Sequence, residues 1–321
     1  MKITTSLFTA GLLALFMGTA AAAETYPSKP VEIVLPYGGG GSGDLIARQL
    51  AKRFQERFGQ PFVVIYKPGA SGAIGADAVA KAKPDGYTLL LGYATEVILV
   101  PMLRSETKYT PKSFEPVAMA GTSALALVGR NDIPARNMRE LVTYFQKSGQ
   151  GSYASVGFGS PQNIAGELFN QSANVKLIQI PYKSGQNAIA DLVGGRVDIY
   201  FAGVPGALGI IQADRMKAFA VTGSKRVQVL PEVESTTEAG FPEFDLSGWF
   251  ALFAPAGTPP EIVAELQSAT EEALQDKELQ AVFAQSGIEA EMMSGPALRS
   301  FIDDETSKYQ RLIKRLDIKS E

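Results

Sequence analysis

The chain has 321 residues, with 30 Lys and Arg against 33 Asp and Glu, and a net charge of −3. This mildly acidic balance gives no electrostatic reason to bind nucleic acid or an anionic membrane. The sequence contains no Cys and no His, which excludes disulfides, thiolate metal sites and Cys nucleophiles and removes the most common general base. We therefore expect no metal and no cofactor, and the length allows one large core or, more typically, two cores of about 150 residues each.

The first 23 residues have the pattern of an export signal. Lys2 precedes an apolar stretch at Leu7–Met17, and the small residues Ala21–Ala23 follow it. This three-part order is typical of a secretory signal peptide, and the apolar stretch is too short to span a bilayer. We therefore expect a signal peptide at residues 1–23 and a mature protein in the periplasm.

Strands and helices alternate along the first part of the chain. Apolar strands are predicted at 31–35, 62–66 and 88–91, and helices are predicted from near Asp44 and at about 72–82. Alternation over such short turns is typical of a parallel sheet covered by helices. The sequence therefore predicts an α/β fold.

Two later segments share one layout, in which a strand leads through a Pro-containing turn into a helix. The first joins a strand at 124–128 to a helix at 135–146, and the second joins a strand at 249–253 to a helix that ends near Gln275. We interpret them as equivalent starts of two lobes, between which the chain crosses twice. The predicted lobes are residues 24–122 plus 247–321 for lobe 1, and residues 123–246 for lobe 2.

A Gly-rich turn lies between the first strand and the first helix. Gly38, Gly40 and Gly43 match G-x-G-x-x-G, the pattern of a dinucleotide-binding turn. Tyr37 and the preceding proline interrupt that pattern, and the second strand ends without a ribose-binding acid. We favour an anion cradle of backbone N–H groups at a helix N-terminus, with Asp44 as N-cap. A turn without a ligand and a nucleotide site are the alternatives.

Three further loops carry small polar residues where predicted strands end, at 92–96, 155–163 and 181–188. In parallel sheets, ligands bind beyond the carboxyl ends of the strands. Each loop alone is more typical of helix capping and turns than of a ligand site. Together with the Gly-rich turn, they favour one shared cleft.

Patterns of catalytic residues are weak in this chain. Ser105 and Lys108 match S-x-x-K, but they lie in a polar stretch without a companion motif. The sequence has no G-x-S-x-G, and its acidic residues form no cluster with metal-ligand spacing. We therefore expect a binding protein and not an enzyme.

Short motifs in a fixed order extend over nearly the whole mature chain. They include Tyr-Pro-Ser-Lys-Pro at 26–30, Lys-Pro-Gly-Ala-Ser-Gly at 67–72, Pro-Asp-Gly-Tyr-Thr-Leu at 84–89, Pro-Tyr-Lys at 181–183 and Ala-Pro-Ala-Gly-Thr-Pro at 254–259. In this order they resemble the Bug-type solute-binding proteins of tripartite tricarboxylate transporters. The resemblance implies a two-lobed periplasmic-binding-protein fold of type II, with two crossovers, that closes on carboxylate ligands.

The resemblance and the four loops together indicate the residues that contact the ligand. One of them departs from the family, which favours neutral polar residues where this chain has Glu96. A carboxylate there would repel an anion unless it is exposed or paired. The expected ligand-binding residues are Tyr37, Gly41, Ser42, Gly43, Asp44, Thr95, Glu96, Ser155, Gly159, Ser160, Asn163, Tyr182, Lys183, Asn187, Ala188, Gly203 and Val204.

The function that follows from these expectations is solute capture. We expect a monomer that binds a small organic carboxylate between its lobes and delivers it to the membrane subunits of a tripartite tricarboxylate transporter. One alternative is an exported NADP-type oxidoreductase that uses the Gly-rich turn. Another is a ligand-sensing protein for a membrane receptor.

Overall fold

The computed structural model of the protein describes residues 26–319, so the predicted signal peptide at 1–23 lies outside the described residues. Within residues 26–319 the strands are β1 (Val31–Leu35), β2 (Phe62–Tyr66), β3 (Thr88–Gly92), β4 (Phe114–Gly129), β5 (Ser152–Ser155), β6 (Ile178–Pro181), β7 (Ile199–Gly203), β8 (Lys217–Val221) and β9 (Ser247–Pro255). The α-helices are α1 (Ser42–Phe58), α2 (Ala73–Ala80), α3 (Val100–Leu103), α4 (Met138–Ser148), α5 (Pro161–Ala173), α6 (Gly185–Val193), α7 (Val204–Gln212), α8 (Pro260–Gln275), α9 (Lys277–Ser286) and α10 (Gly295–Arg315).

The strands form a sheet in the order β2-β1-β3-β9-β4-β7-β5-β6, and β8 pairs with β4. At one end, β1 is parallel to β2 and β3, and at the other end β5 is parallel to β6 and β7. Between these parallel groups, β4 and β9 are antiparallel to their neighbours. The prediction of an α/β fold is confirmed, although the two antiparallel strands in the middle were not expected.

Strand β4 joins the two parallel groups. Its residues Phe114–Ala124 pair with β9, whereas Leu125–Gly129 pair with β7 and β8. The change of partner falls close to the predicted lobe boundary after residue 122, and β9 begins at the predicted boundary at residue 247. The division into lobes itself stays a prediction.

Helix α1 illustrates how the sequence produces a covered sheet. Ile46, Leu50 and Phe54 recur every four residues on one face, and all three are fully buried in the cluster that includes β1. Burial of such a side chain contributes about 1.5–3 kcal/mol. Gly59 ends the helix in the left-handed conformation, with φ of 68°, which favours glycine. Because Ile46, Leu50 and Phe54 pack in one cluster with β1, the start of α1 has a fixed position relative to the C-terminal end of β1.

The long C-terminal helix α10 packs against β4. Its Glu305 accepts a hydrogen bond at 2.9 Å from the indole N–H of Trp249 in β9, and both residues are buried. At the C-terminal end of the helix, Arg315 donates to the side chain of Gln171 in α5 at 2.7 Å. This helix therefore packs against the central strands β4 and β9 and also contacts α5. Over residues 26–319, no helix is both long and apolar enough to cross a bilayer.

Candidate ligand-binding cleft

A cleft of about 940 Å³, including its open mouth, lies between the two parallel groups of strands. Its lining comes from strands β4, β7 and β9, from the loops that follow β1, β3 and β5, and from the starts of α1, α5, α6 and α7. Among the described residues that line it there is no Lys or Arg, and Asp44 is the one acid. Over residues 26–319, no group of three or more acidic residues is arranged to hold a metal ion.

The N-termini of α1, α6 and α7 all reach this cleft. Gly43 of α1, Gly185 of α6 and Gly206 of α7 belong to its lining. The caps of α1 and α7 are Gly41 and Gly203, and neither makes a side-chain cap hydrogen bond. The first N–H groups of a helix have no intrahelical partner and carry partial positive charge. Three such ends around one cleft can hold an anion without a cationic side chain.

Asp44 fixes the Gly-rich turn from inside α1. Its carboxylate accepts hydrogen bonds from the Gly40 N–H at 2.8 Å, the Tyr66 hydroxyl at 2.6 Å and the Arg48 Nε at 2.9 Å. Burial raises the pKa of Asp44, but these donors and the charge of Arg48 outweigh that effect and hold the pKa below its ordinary value. The prediction that Asp44 is the N-cap is wrong, because Gly41 occupies that position. The carboxylate instead holds the turn that precedes the helix.

Three rings form one side of the cleft, which we call the aromatic wall: Tyr37, Tyr93 and Phe250. Tyr93 stacks on Phe250 with 5.3 Å between ring centroids and 8° between the ring planes. Tyr37 meets Tyr93 edge to face, with the centroids 5.9 Å apart. Such arrangements are the favoured geometries for aromatic pairs. The wall therefore presents a rigid apolar surface to the cleft.

Glu96 lies behind the aromatic wall in a π-helical turn, Thr95–Leu99, and is fully buried. One carboxylate oxygen accepts from the backbone N–H of Tyr93 at 2.6 Å, and the other accepts from the Tyr37 hydroxyl at 2.7 Å. Burial raises the pKa of Glu96 to about 8, although both hydrogen bonds act in the opposite direction. Glu96 is therefore paired inside the protein and is neither an exposed rim residue nor part of the cleft lining.

Residues 46–318 match the family model described as the tripartite tricarboxylate transporter family receptor. The chain belongs to this family. BugT of Bordetella pertussis is 34% identical to the chain, and the alignment covers 99% of each protein. This result confirms the resemblance to Bug-type solute-binding proteins that the motifs indicated.

Two solved structures have the same fold as this chain. The periplasmic binding protein BugD is 32% identical with a TM-score of 0.87, over 92% of this chain and all of that one. A Rhodopseudomonas palustris protein with adipate is 28% identical with a TM-score of 0.88, over 92% of this chain and all of that one. The predicted periplasmic-binding-protein fold is therefore confirmed.

The receptor chain brings six of the seventeen expected ligand-binding residues to the cleft. The cleft lining includes Tyr37, Gly41, Ser42, Gly43, Asp44 and Gly203. Most of the six come from the Gly-rich turn. The remaining eleven lie away from the lining: Thr95, Glu96, Ser155, Gly159, Ser160, Asn163, Tyr182, Lys183, Asn187, Ala188 and Val204.

The polar groups that open α5 are occupied within their own loop. The hydroxyl of Ser160 caps the helix by accepting from the Asn163 N–H at 3.2 Å, and it donates to the Gly157 carbonyl at 2.7 Å. The Asn163 side chain accepts from the Gly159 N–H at 3.0 Å and donates to the Tyr153 hydroxyl at 2.9 Å. Both residues are buried. Their hydrogen bonds therefore shape the loop and do not point into the cleft.

Two other expected residues are engaged or directed elsewhere. The hydroxyl of Ser155 is buried and accepts from Gln179 at 2.7 Å. Asn187 is exposed, and its N–H donates to Ser184, the N-cap of α6. Half of the eighteen lining residues that the sequence analysis missed are apolar or aromatic: Leu35, Leu91, Tyr93, Leu125, Val156, Ile189, Tyr200, Ala202 and Phe250.

Proposed function

We propose that this protein captures a small organic carboxylate between two lobes in the periplasm and delivers it to the membrane subunits of a tripartite tricarboxylate transporter. One observation carries the proposal: three helix N-termini reach a cleft whose described lining has no cationic side chain. Each N-terminus is equivalent to about half an elementary charge, so three of them balance one carboxylate. The adipate in a family member supports the same class of ligand.

Contacts across the mouth of the cleft support closure around the ligand. The Gln186 side chain in α6 donates to the Gly40 carbonyl in the Gly-rich turn at 2.9 Å. Gly203 at the end of β7 also approaches Ser42 of α1 closely, because a Cβ atom added to this glycine would lie only 3.2 Å from the Ser42 hydroxyl oxygen. These residues come from opposite sides of the cleft. In the proposed cycle, ligand binding favours this closed form, which the membrane subunits recognise.

Export and assembly complete the proposal. Cleavage of residues 1–23 releases a mature monomer that uses no cofactor and catalyses no reaction. The receptor family and the pattern of the first 23 residues support this part. Light scattering should give the mass of a single mature chain with and without ligand.

Calorimetry on the mature protein tests the proposal. We expect binding of one molecule of adipate, malate or benzoate per chain, and no binding of adipamide or benzamide, which match two of them in shape but lack the charge. NADPH serves as a further arm, because it would bind an oxidoreductase of the alternative type. Binding of NADPH, or of none of the carboxylates, contradicts the proposal. Uptake of the bound carboxylate into cells that carry the membrane subunits should depend on this protein.

A further inference from the structure

We infer that the cleft is built for an aromatic monocarboxylate, a ligand with one negative charge and a flat apolar ring. The inference rests on the proposed function and names the ligand class for the same site. It depends on three features of the cleft: its capacity for negative charge, the position of the aromatic wall beside the anion cradle, and a tyrosine hydroxyl that opens into the cleft and has no hydrogen-bond partner within residues 26–319.

The charge capacity of the cleft matches a monoanion. The three helix N-termini together supply about 1.5 elementary charges. Asp44 adds one negative charge to the lining, and Arg48, which pairs with it at 2.9 Å, offsets that charge. A dicarboxylate or tricarboxylate would bring two or three negative charges into the cleft, and the described residues that line the cleft include no Lys or Arg. Desolvation of the additional, unpaired carboxylates opposes their binding.

The anion cradle lies directly beside the aromatic wall. A Cβ atom added to Gly43, at the N-terminus of α1, would lie 3.2 Å from Cε1 of Phe250. The carboxyl carbon of an aromatic acid is bonded to its ring, so one rigid molecule can place its carboxylate at the cradle and its ring on Phe250. The remaining apolar lining suits the same ring: Leu35, Leu91, Leu125, Val156, Ile189 and Ala202.

Tyr200 offers a hydroxyl donor on the opposite side of the cleft. The residue is 2% exposed and belongs to the cleft lining. Its hydroxyl lies 3.1 Å from the position of a Cβ atom on Gly185, at the N-terminus of α6. Over residues 26–319, no side chain or backbone group forms a hydrogen bond with it. The hydroxyl oxygen itself is accessible from the cleft, so it can donate a hydrogen bond to the carboxylate of a ligand.

Calorimetry with a ligand series on the wild-type protein tests the ligand class. We expect benzoate to bind at least tenfold more tightly than adipate and malate, and more tightly than cyclohexanecarboxylate, whose ring is puckered and not aromatic; citrate should bind most weakly. If adipate or malate binds as tightly as benzoate, the inference is wrong while the proposed function stands. If no carboxylate binds, the proposed function fails as well.

The variant Tyr200→Phe tests the hydroxyl. The loss of a hydrogen bond to a charged group should weaken benzoate binding about ten- to a hundredfold. Tyr144→Phe, at a half-buried tyrosine of α4, is the matched control and should leave the affinity unchanged. Thermal unfolding without ligand verifies that both variants fold. Wild-type affinity in a folded Tyr200→Phe protein would overturn the assignment of Tyr200, and the ligand series decides the class without any variant.

Discussion

The Glu96 carboxylate accepts a hydrogen bond at 2.7 Å from the hydroxyl of Tyr37, which joins a buried acid to a residue of the cleft lining. Its other oxygen binds the backbone N–H of Tyr93, the central ring of the aromatic wall. Because burial raises the pKa of Glu96 to about 8, this group is mainly neutral at pH 7. An acid at this position is therefore compatible with an anionic ligand, and it acts by fixing two rings of the wall.

The first prediction concerns the pH dependence of stability in Glu96→Gln. The carboxyl group titrates near its ordinary value of 4.5 when unfolded and near 8 when folded, so the folded chain binds more protons between these values. Its contribution to the free energy of unfolding is then largest below pH 4.5 and falls by about 1.4 kcal/mol per pH unit toward pH 8. The glutamine cannot titrate, so this part of the slope should disappear.

Urea unfolding at pH 5.5 and pH 7.5 measures that slope. The variant should lose less stability than the wild type between the two values. Glu56→Gln, at an exposed position of α1, is the control and should keep the wild-type slope. Equal slopes in the wild type and Glu96→Gln would show that Glu96 does not titrate in this range.

The second prediction concerns Asp44→Asn and the shape of the anion cradle. The amide cannot accept from Arg48, Tyr66 and the Gly40 N–H at once, so the Gly-rich turn should lose its fixed position. We expect about tenfold weaker benzoate binding and a stability loss of about 1 kcal/mol at pH 7. In the wild type, the pKa of Asp44 is lower in the folded chain than in the unfolded chain, so the charged carboxylate stabilises the fold at pH values above the unfolded pKa. This stabilisation is lost as the pH falls through the folded pKa, and Asp44→Asn should lack it.

A matched control separates the cradle from a general loss of charge. Asp77 of α2 pairs with Lys81 one helical turn later and lies outside the cleft. Asp77→Asn should leave benzoate binding unchanged and alter stability by no more than about 0.5 kcal/mol. Equal loss of affinity in both variants would argue against a specific role for Asp44.

Elements set by local sequence were predictable. The strands β1 and β2 have the predicted bounds, 31–35 and 62–66, and α8 ends at Gln275 as expected. Apolar periodicity and nearby glycines or prolines determine these elements. Strand β4 was predicted only as 124–128, although it begins at Phe114. Its first part contains Pro and Gly and is stabilised by pairing with β9, which is more than a hundred residues away along the chain.

The same distinction explains the candidate site. The Gly-rich turn was found because glycines before a helix are a local signal. Ser160 and Asn163 gave an equally polar signal, yet they satisfy the cap and loop of α5. Tyr200 and Phe250 lie on strands, where an aromatic residue indicates core packing. Only the crossing of β4 and β9 between the two parallel groups brings these rings to one cleft.

The third prediction separates a helix cap from a ligand contact. Ser160→Ala removes the cap of α5, so we expect the free energy of unfolding to fall by about 1 kcal/mol. Benzoate affinity should stay within about twofold of wild type, because the residue is buried outside the cleft lining. Asn187→Ala, at an exposed position, should change both quantities little. A large loss of affinity with unchanged stability would restore the expectation that Ser160 contacts the ligand.

The fourth prediction concerns closure of the cleft in Gln186→Ala. The variant loses the hydrogen bond from Gln186 to the Gly40 carbonyl, which joins α6 to the Gly-rich turn across the mouth. We expect benzoate to dissociate about three- to tenfold faster, because one hydrogen bond contributes about 0.5–1.5 kcal/mol. The stability of the ligand-free protein should not change, since the bond does not hold either parallel group of strands together. Stopped-flow fluorescence measures dissociation, and solution scattering measures the radius of gyration with and without ligand.

The control for this variant is Gln146→Ala. Its side chain also donates to a backbone carbonyl, that of Ala173 at 2.8 Å, but both residues lie between the predicted lobe boundaries at 123 and 246. This variant should lose stability and keep the wild-type rate of dissociation. Wild-type and Gln186→Ala proteins should both become more compact on saturation with benzoate, because hinge closure decreases the radius of gyration. Unchanged scattering in the wild type at saturation would contradict closure, and an unchanged dissociation rate in Gln186→Ala would remove Gln186 from it.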